Sequence, residues 1–176
     1  RCIDVGAEGF DLAKLEDSSP VARRIAPCRR VLIASPAYPE QHDHPRVPQD
    51  LAIHRCPGYD NDLMPGNWTL NGEQGTGCVR VHGPLCADNG DVLKEAALAG
   101  VGVAMLPTFI AGPDSRSGRL VEVLRDLSPD YISVHAVFPS RRYVSAKVKI
   151  FVDYLSGCFG GSPAWEATDP TVRNPG

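Results

Sequence analysis

Apolar residues along this chain fall in short blocks whose spacing switches between that of buried strands and that of helices. "RRVLIAS", Arg29 to Ser35, is a continuous β-branched and aliphatic run, the pattern of a strand buried on both faces. It ends in Ser35-Pro36, a hydroxyl followed by the residue most at home in a helix's first position, so a short helix is predicted from Pro36 to about Gln41. "PQDLAIHR", from Pro48, reads as a second short helix under Leu51 and Ile53. Trp68 to Leu70 and Cys78 to Val81 flank the glycine-rich "NGEQGTG", which predicts a hairpin with a loose loop.

After Asp88-Asn89-Gly90, residues Val92, Leu93, Ala96 and Ala97 recur at helical spacing, and Gly100 stands where a left-handed residue would stop the helix. "VGVAML", Val101 to Leu106, is then a buried strand closed by Pro107, "LVEVL" another, and "ISVHAVFP", Ile132 to Pro139, a longer alternating one. "SAKVKIFVDYLSGCF" is the clearest amphipathic helix: Ser145 is placed to cap it, and Val148, Phe151, Val152 and Leu155 share a face. Upstream, Phe10 to Ala13 is too short to assign, and Asp17-Ser18-Ser19-Pro20 is a turn signal leading into an extended segment. The tail "GGSPAWEATDPTVRNPG" reads as a frayed loop in which Trp165 is the one anchor. Strands alternating with helices predict an α/β protein with largely parallel sheets.

Composition narrows the function. The chain has 176 residues, 43% of them hydrophobic, enough for one domain or two small lobes with a packed core. No window approaches the roughly 18 consecutive apolar residues of a membrane span, so no membrane partner is expected. The start "RCIDV" has no methionine and no secretory pattern follows it. A net charge of −3 argues against nucleic-acid binding by these residues, and the pairs Arg23-Arg24, Arg29-Arg30 and Arg141-Arg142 read as solvated faces. Six cysteines (2, 28, 56, 78, 86 and 158) without a C-x-x-C pair read as reduced, core-type thiols of a cytoplasmic protein.

The stretch "DNGDVLKEAALAGVGVAMLP" contains a G-x-G, yet it is not a dinucleotide loop. Gly100 and Gly102 follow a helix and precede a strand, the reverse of the order that puts a phosphate on a helix N-terminus, and Met105 stands in the third glycine's place. The other end is more promising. Asn89 and Gly90 at a helix start would offer free backbone N–H groups and a side-chain amide to an anion, although an ordinary cap accounts for them alone. Ser35-Pro36 repeats the device, and ligands of α/β sheets bind at the carboxyl ends of parallel strands.

Metal and catalytic readings are weak. His42-x-His44 and His54-x-Cys56 lack zinc spacing and sit in a polar, proline-flanked segment, so no metal or other cofactor is expected. No G-x-S-x-G occurs, and turns or caps account for Asp60, Asp62, Asp88 and Asp91. An enzyme would need catalytic residues outside this chain.

The order of these pieces resembles the C-terminal effector-binding domain of LysR-type transcriptional regulators. The Asp17–Pro20 turn with the "VARRIAPCRRVLIASPAYPEQHDHPRVPQDLAIHRC" that follows it, "NGDVLKEAALAGVGVAMLPTFI", "GRLVEVL", "AVFPSRRYVSAKVKIFVDYL" and the tail "FGGSPAW" are each similar to the corresponding family segment, from about Asp11 to Leu155 and into the tail. Each motif alone is unspecific; their order is specific. The resemblance implies two Rossmann-like α/β lobes joined by crossover strands, as in type 2 periplasmic binding proteins. It assigns residues 1–31 to part of lobe one, 32–134 to lobe two, 135–160 to the return and 161–176 to a flexible tail.

It further implies a small-molecule effector, an organic acid or other polar metabolite, held between the lobes by Ser35, Pro36, Asn89, Gly90, Pro107, Thr108 and Phe138, over an apolar floor of Val101, Val103 and Phe138. DNA would be bound only through a winged helix-turn-helix outside this chain, in a homodimer or homotetramer. The family's first strand and helix of lobe one are also expected outside it. "DLAKLEDSS" is several residues shorter than the family's usual segment, which implies either skipped residues or a truncated lobe-one strand. The rival class with the same fold is a free-standing solute-binding protein of a transport system.

Overall fold

The structure, a computed structural model, describes residues 21–60, 66–72, 75–129, 132–138, 145–159, 161 and 163–166. In chain order they form β1 (Val21–Cys28), β2 (Arg30–Ala34), α1 (Ala37–His42), β3 (Gly58–Tyr59), β4 (Asn67–Gly72), β5 (Gly75–Arg80) and β6 (Cys86–Ala87). There follow α2 (Gly90–Leu98), β7 (Ala104–Pro107), α3 (Thr108–Arg116), β8 (Val121–Glu122), β9 (Ser128–Pro129), β10 (Ile132–Phe138) and α4 (Ala146–Phe159). Single 3₁₀ turns lie at Pro48–Ala52 and Ala164–Glu166.

β2 is the central strand of a three-stranded sheet in the order β7-β2-β8. Its alternation sends Leu32 and Ala34 into one apolar cluster, with Tyr38, Trp68 and Met105, and Val31 and Ile33 into another, with Leu93, Ala97 and Leu106. This double burial is what the unbroken aliphatic run specified. The expected parallel sheets, however, give way to mostly antiparallel pairing. β2 runs antiparallel to both β7 and β8, β4 to β5 and β9, and β1 to β10, whereas β3 pairs parallel with β6 and Arg55 forms a parallel bridge to His82. The reason is that β2 follows β1 after one residue, so the incoming strand fixes its direction rather than a helix-linked return.

The predicted hairpin forms as β4 and β5 in antiparallel register from Asn67↔Arg80 to Gly72↔Gly75. Helix α2 also forms as expected, burying Leu93, Ala96 and Ala97. It ends in a left-handed Gly100 (φ 73). The Gly100 and Val101 amides close back onto the carbonyls of Ala97 and Ala96, the double bond of a glycine-terminated helix. At the start of α4, Ser145 Oγ accepts from the Val148 amide at 3.3 Å, the predicted cap.

Other expectations are corrected. Ser35 does not cap α1: Pro36 is the flanking residue, already helical, and no side chain caps the helix. Leu51 is buried, but Ile53 is 86% exposed, because the 3₁₀ turn ends at Ala52 and swings it outward. Val92 is exposed on α2. "LVEVL" pairs only over Val121–Glu122 before the backbone turns through Leu124, at φ 50. α4 buries only Val152 of its expected face, leaving Val148 and Phe151 exposed, since among the described residues it packs on β1. Cys28 and Cys56 are core thiols, whereas Cys78, Cys86 and Cys158 are exposed. The Asp17–Pro20 turn, Glu73, Gln74 and the tail beyond Glu166 lie outside the described residues.

Two outcomes are expected. Ile33→Ala, at 0% exposure, should cost about 2–5 kcal/mol in urea unfolding, whereas Ile53→Ala should stay within about 0.5 kcal/mol. Equal losses would contradict the core assignment. Iodoacetamide mapping of the folded chain should modify Cys78, Cys86 and Cys158 and spare Cys28 and Cys56, for which burial raises both thiol pKa values, that of Cys56 to about 12.

Candidate functional site

The parallel strands β3 and β6 end on one edge of the molecule at Tyr59 and Ala87. Helix α2 starts from that edge. Asn89 adopts an extended conformation, and its Oδ1 accepts from the Asp91 amide at 2.8 Å. Capping therefore uses the carbonyl half of the side chain. Gly90 is buried here because a Cβ would collide with the Tyr59 hydroxyl and with Ile110 of α3. That close approach brings the start of α2 beside α3, which begins at Thr108 directly after Pro107. Asn89, Gly90, Pro107 and Thr108, four of the seven residues expected in the site, thus belong to one edge.

The other three do not. Ser35 lies past the opposite end of β2, at the C-terminal end of α2, where its hydroxyl stands 3.5 Å from the position a Gly100 Cβ would take. Nine helical residues separate that end from Asn89, about 13 Å at 1.5 Å per residue. Ser35, Pro36, Leu98, Ala99, Gly100 and Arg119 border an open depression of about 650 Å³ there, and the buried Ser35 hydroxyl has no hydrogen-bond partner. Ser35 is on the wrong edge because β2 is antiparallel to β7, so its carboxyl end meets the amino end of its neighbour. Phe138 pairs with Val21 at the far end of the β1–β10 ladder, whereas Ile132 pairs with Cys28 next to β2. Those six residues are about 20 Å of strand. Val103, at 0% exposure, is sealed in the core and lines no floor; Val101 is half-buried.

The edge that carries Thr108 has a polar centre that no motif signalled. The Glu166 carboxylate, 13% exposed, accepts through Oε1 from the Arg29 amide at 2.7 Å and from the Thr108 hydroxyl at 2.7 Å. Its Oε2 accepts from Arg29 Nε at 3.0 Å. Trp165 donates its indole N–H to the Pro27 carbonyl at 3.2 Å and packs between Phe109 and Phe159. So the tail expected to fray is docked through Pro163–Glu166, with Trp165 as the anticipated anchor. Cys28 lies beneath, its Sγ 3.7 Å from Thr108 Oγ1; burial first, and the Glu166 charge in addition, raise its pKa and keep it a thiol. Burial likewise raises the pKa of Glu122, against the pull of Arg29 and Arg125. Among the described residues no cluster of His, Cys, Asp and Glu could hold a metal ion, and no helix is long and apolar enough to cross a membrane.

One α/β body, left by an antiparallel pair of strands and with helix starts gathered on one edge, is the pattern of a single lobe of a two-lobed ligand-binding fold with its connecting strands. Comparison with known proteins agrees. Residues 4–158 match the LysR substrate binding domain. The chain belongs to that family, whose fold is the two-lobed α/β fold of periplasmic binding proteins. It is similar to the HTH-type transcriptional regulator DmlR of Escherichia coli K12, at 34% identity over 167 residues, 90% of this chain and 53% of that protein. An uncharacterized HTH-type transcriptional regulator of Haemophilus influenzae is 35% identical over 150 residues, 83% of this chain and 52% of that protein. The chain therefore spans about half the length of these curated relatives. Among solved structures, the CrgA regulatory domain of Neisseria meningitidis superposes with a TM-score of 0.69 at 28% identity, covering 83% of this chain and 72% of that one. The regulatory domain of the C227S variant of AphB from Vibrio vulnificus gives 0.69 at 27%, covering 84% and 76%.

The capping geometry sets a measurable expectation. Asn89→Ala should lower unfolding free energy by about 1 kcal/mol, and Asn89→Ser should restore most of it. Equal stability of the alanine variant and the parent in urea would show that the Asp91 amide finds no use for the cap.

Proposed function

We propose that this chain is the ligand-sensing part of a bacterial LysR-type transcription regulator. An effector held between the two lobes would bias a DNA-binding module elsewhere in the same protein. The observation that carries the reading is the family match over residues 4–158, joined to relatives named as HTH-type transcriptional regulators. The antiparallel β1–β10 ladder supports it, because a ligand that fits one lobe arrangement better than another acts through such connecting strands. Lobe two would span residues 32–134, residues 135–160 with α4 would return to lobe one, and the tail docks on α3 of lobe two. On this reading the regulator is cytoplasmic, works as a homodimer or homotetramer, and performs no catalysis of its own.

The effector is a small organic acid or similarly polar metabolite. Asn89, Gly90, Pro107 and Thr108 form the lobe-two side of its site, and the two helix starts favour a negative group. Ser35, Pro36 and Phe138 stand away from that edge and take no part in the same contact. A solute-binding protein of a transport system would share the fold; relatives named as regulators weigh against it.

The test uses the complete gene product. An acid effector should alter its footprint on promoter DNA, and at a hundred times its Kd should stabilise the protein by about 2.7 kcal/mol, read as a rise in Tm. An export signal upstream, with no retention of promoter DNA by the purified protein, would reassign the chain to solute capture.

A further inference from the structure

Arg29 sits in a gap between two ladders. The last β1 rung pairs Cys28 with Ile132, and the first β2 rung pairs Arg30 with Pro107, so the chain changes partner at Arg29. Its carbonyl accepts from the Thr108 amide at 2.9 Å. Its amide, left without a strand partner by the switch, finds an acceptor in Glu166, 137 residues further on. A buried backbone N–H needs such an acceptor. The same carboxylate takes the Thr108 hydroxyl and the Arg29 guanidinium, so one charged group satisfies three donors contributed by the two strand junctions. Its charge makes each of these bonds stronger than a neutral one.

These donors fit any carboxylate, and nothing in their chemistry requires that it be the chain's own. Glu166 reaches them on a short docked turn, where Pro163 is buried and Trp165 makes one hydrogen bond. We infer that Arg29 and Thr108 form a carboxylate-binding site at the crossover junction, that Glu166 is its tethered internal occupant, and that an external small carboxylate binds there by displacing the tail. Exchange would leave the donors satisfied. It would also free Trp165 from Pro27, Phe109 and Phe159, so tail release reports occupancy at the strand that links the lobes. A tethered competitor acts at an effective concentration on the order of millimolar, so the latch keeps weak or scarce acids out.

This deepens the effector reading and rests on it only for the consequence at DNA; binding itself is tested at the junction. The full chain, labelled with ¹⁵N, is titrated with succinate at constant ionic strength while the Arg29 and Thr108 amide resonances are followed. Saturable shifts are expected in the parent and in Glu166→Ala, with the midpoint about tenfold or more lower in the variant. The response should be lost in Glu166→Ala with Arg29→Met, and succinamide, the uncharged counterpart, should give none. Equal midpoints in parent and Glu166→Ala, or succinate shifts that spare both amides, would overturn the proposal.

If Glu166→Ala does not fold, Glu166→Gln keeps the side-chain volume and an acceptor for the Arg29 amide, and the same shift in midpoint is required of it. If neither folds, the parent decides. Saturating succinate must accelerate hydrogen exchange of the Trp165 indole N–H, and unchanged exchange counts against displacement. A chain that binds succinate at Arg29 while its complete gene product ignores promoter DNA would remove the regulator reading and leave the latch standing.

Discussion

Everything in this molecule hangs on the double burial of β2. Alternate side chains of one short strand seed two separate clusters, Leu32 and Ala34 on one side and Val31 and Ile33 on the other. A strand in that position cannot slip by one residue, because the slip would exchange the contents of both clusters at once. Its register with β7 therefore fixes where Pro107 stands, and Pro107 fixes where α3 begins. The edge that gathers Asn89, Gly90 and Thr108 follows from that chain of dependence.

The same strand explains why a polar centre lies at its entrance. β2 is fed by β1 through one residue, and β1 already belongs to another ladder. Two ladders with different partners cannot both satisfy the residue between them. A charged side chain from the far end of the chain completes the junction, holding a crossing strand, a core strand and a helix start in one hydrogen-bonded group. A change of occupant at such a junction would act directly on β1, the strand that leaves the core sheet for another ladder.

Much of the fold was legible along the chain. The aliphatic run at Arg29–Ser35, the hairpin around the glycine-rich loop, the Asn89 cap and the Gly100 stop are local signals, and each element formed where its signal lay. The site was less legible. Asn89, Gly90, Pro107 and Thr108 do come together, but Ser35 carried the same signal of a strand ending at a helix start and belongs to the opposite edge. Period and capping chemistry are indifferent to strand direction, so no local pattern could separate the two. The amphipathic face of α4 shows the same gap: its spacing names the apolar residues without naming what covers them, and Val152 alone is buried.

By itself, then, the sequence determined β2, the β4–β5 hairpin, α2 with its cap and stop, α4 and the family that their order spells. These signals depend on neighbours within about a turn or a rung, whereas α3 over Thr108–Arg116 carried none. Only the tertiary structure decided which strand ends share an edge, that the sheet around β2 is antiparallel, and that the Arg29 amide meets the Glu166 carboxylate. Those facts depend on pairings between residues as far apart as 29 and 166. Such pairings are set by how buried strands satisfy all their backbone groups at once, and no spacing along the chain records them.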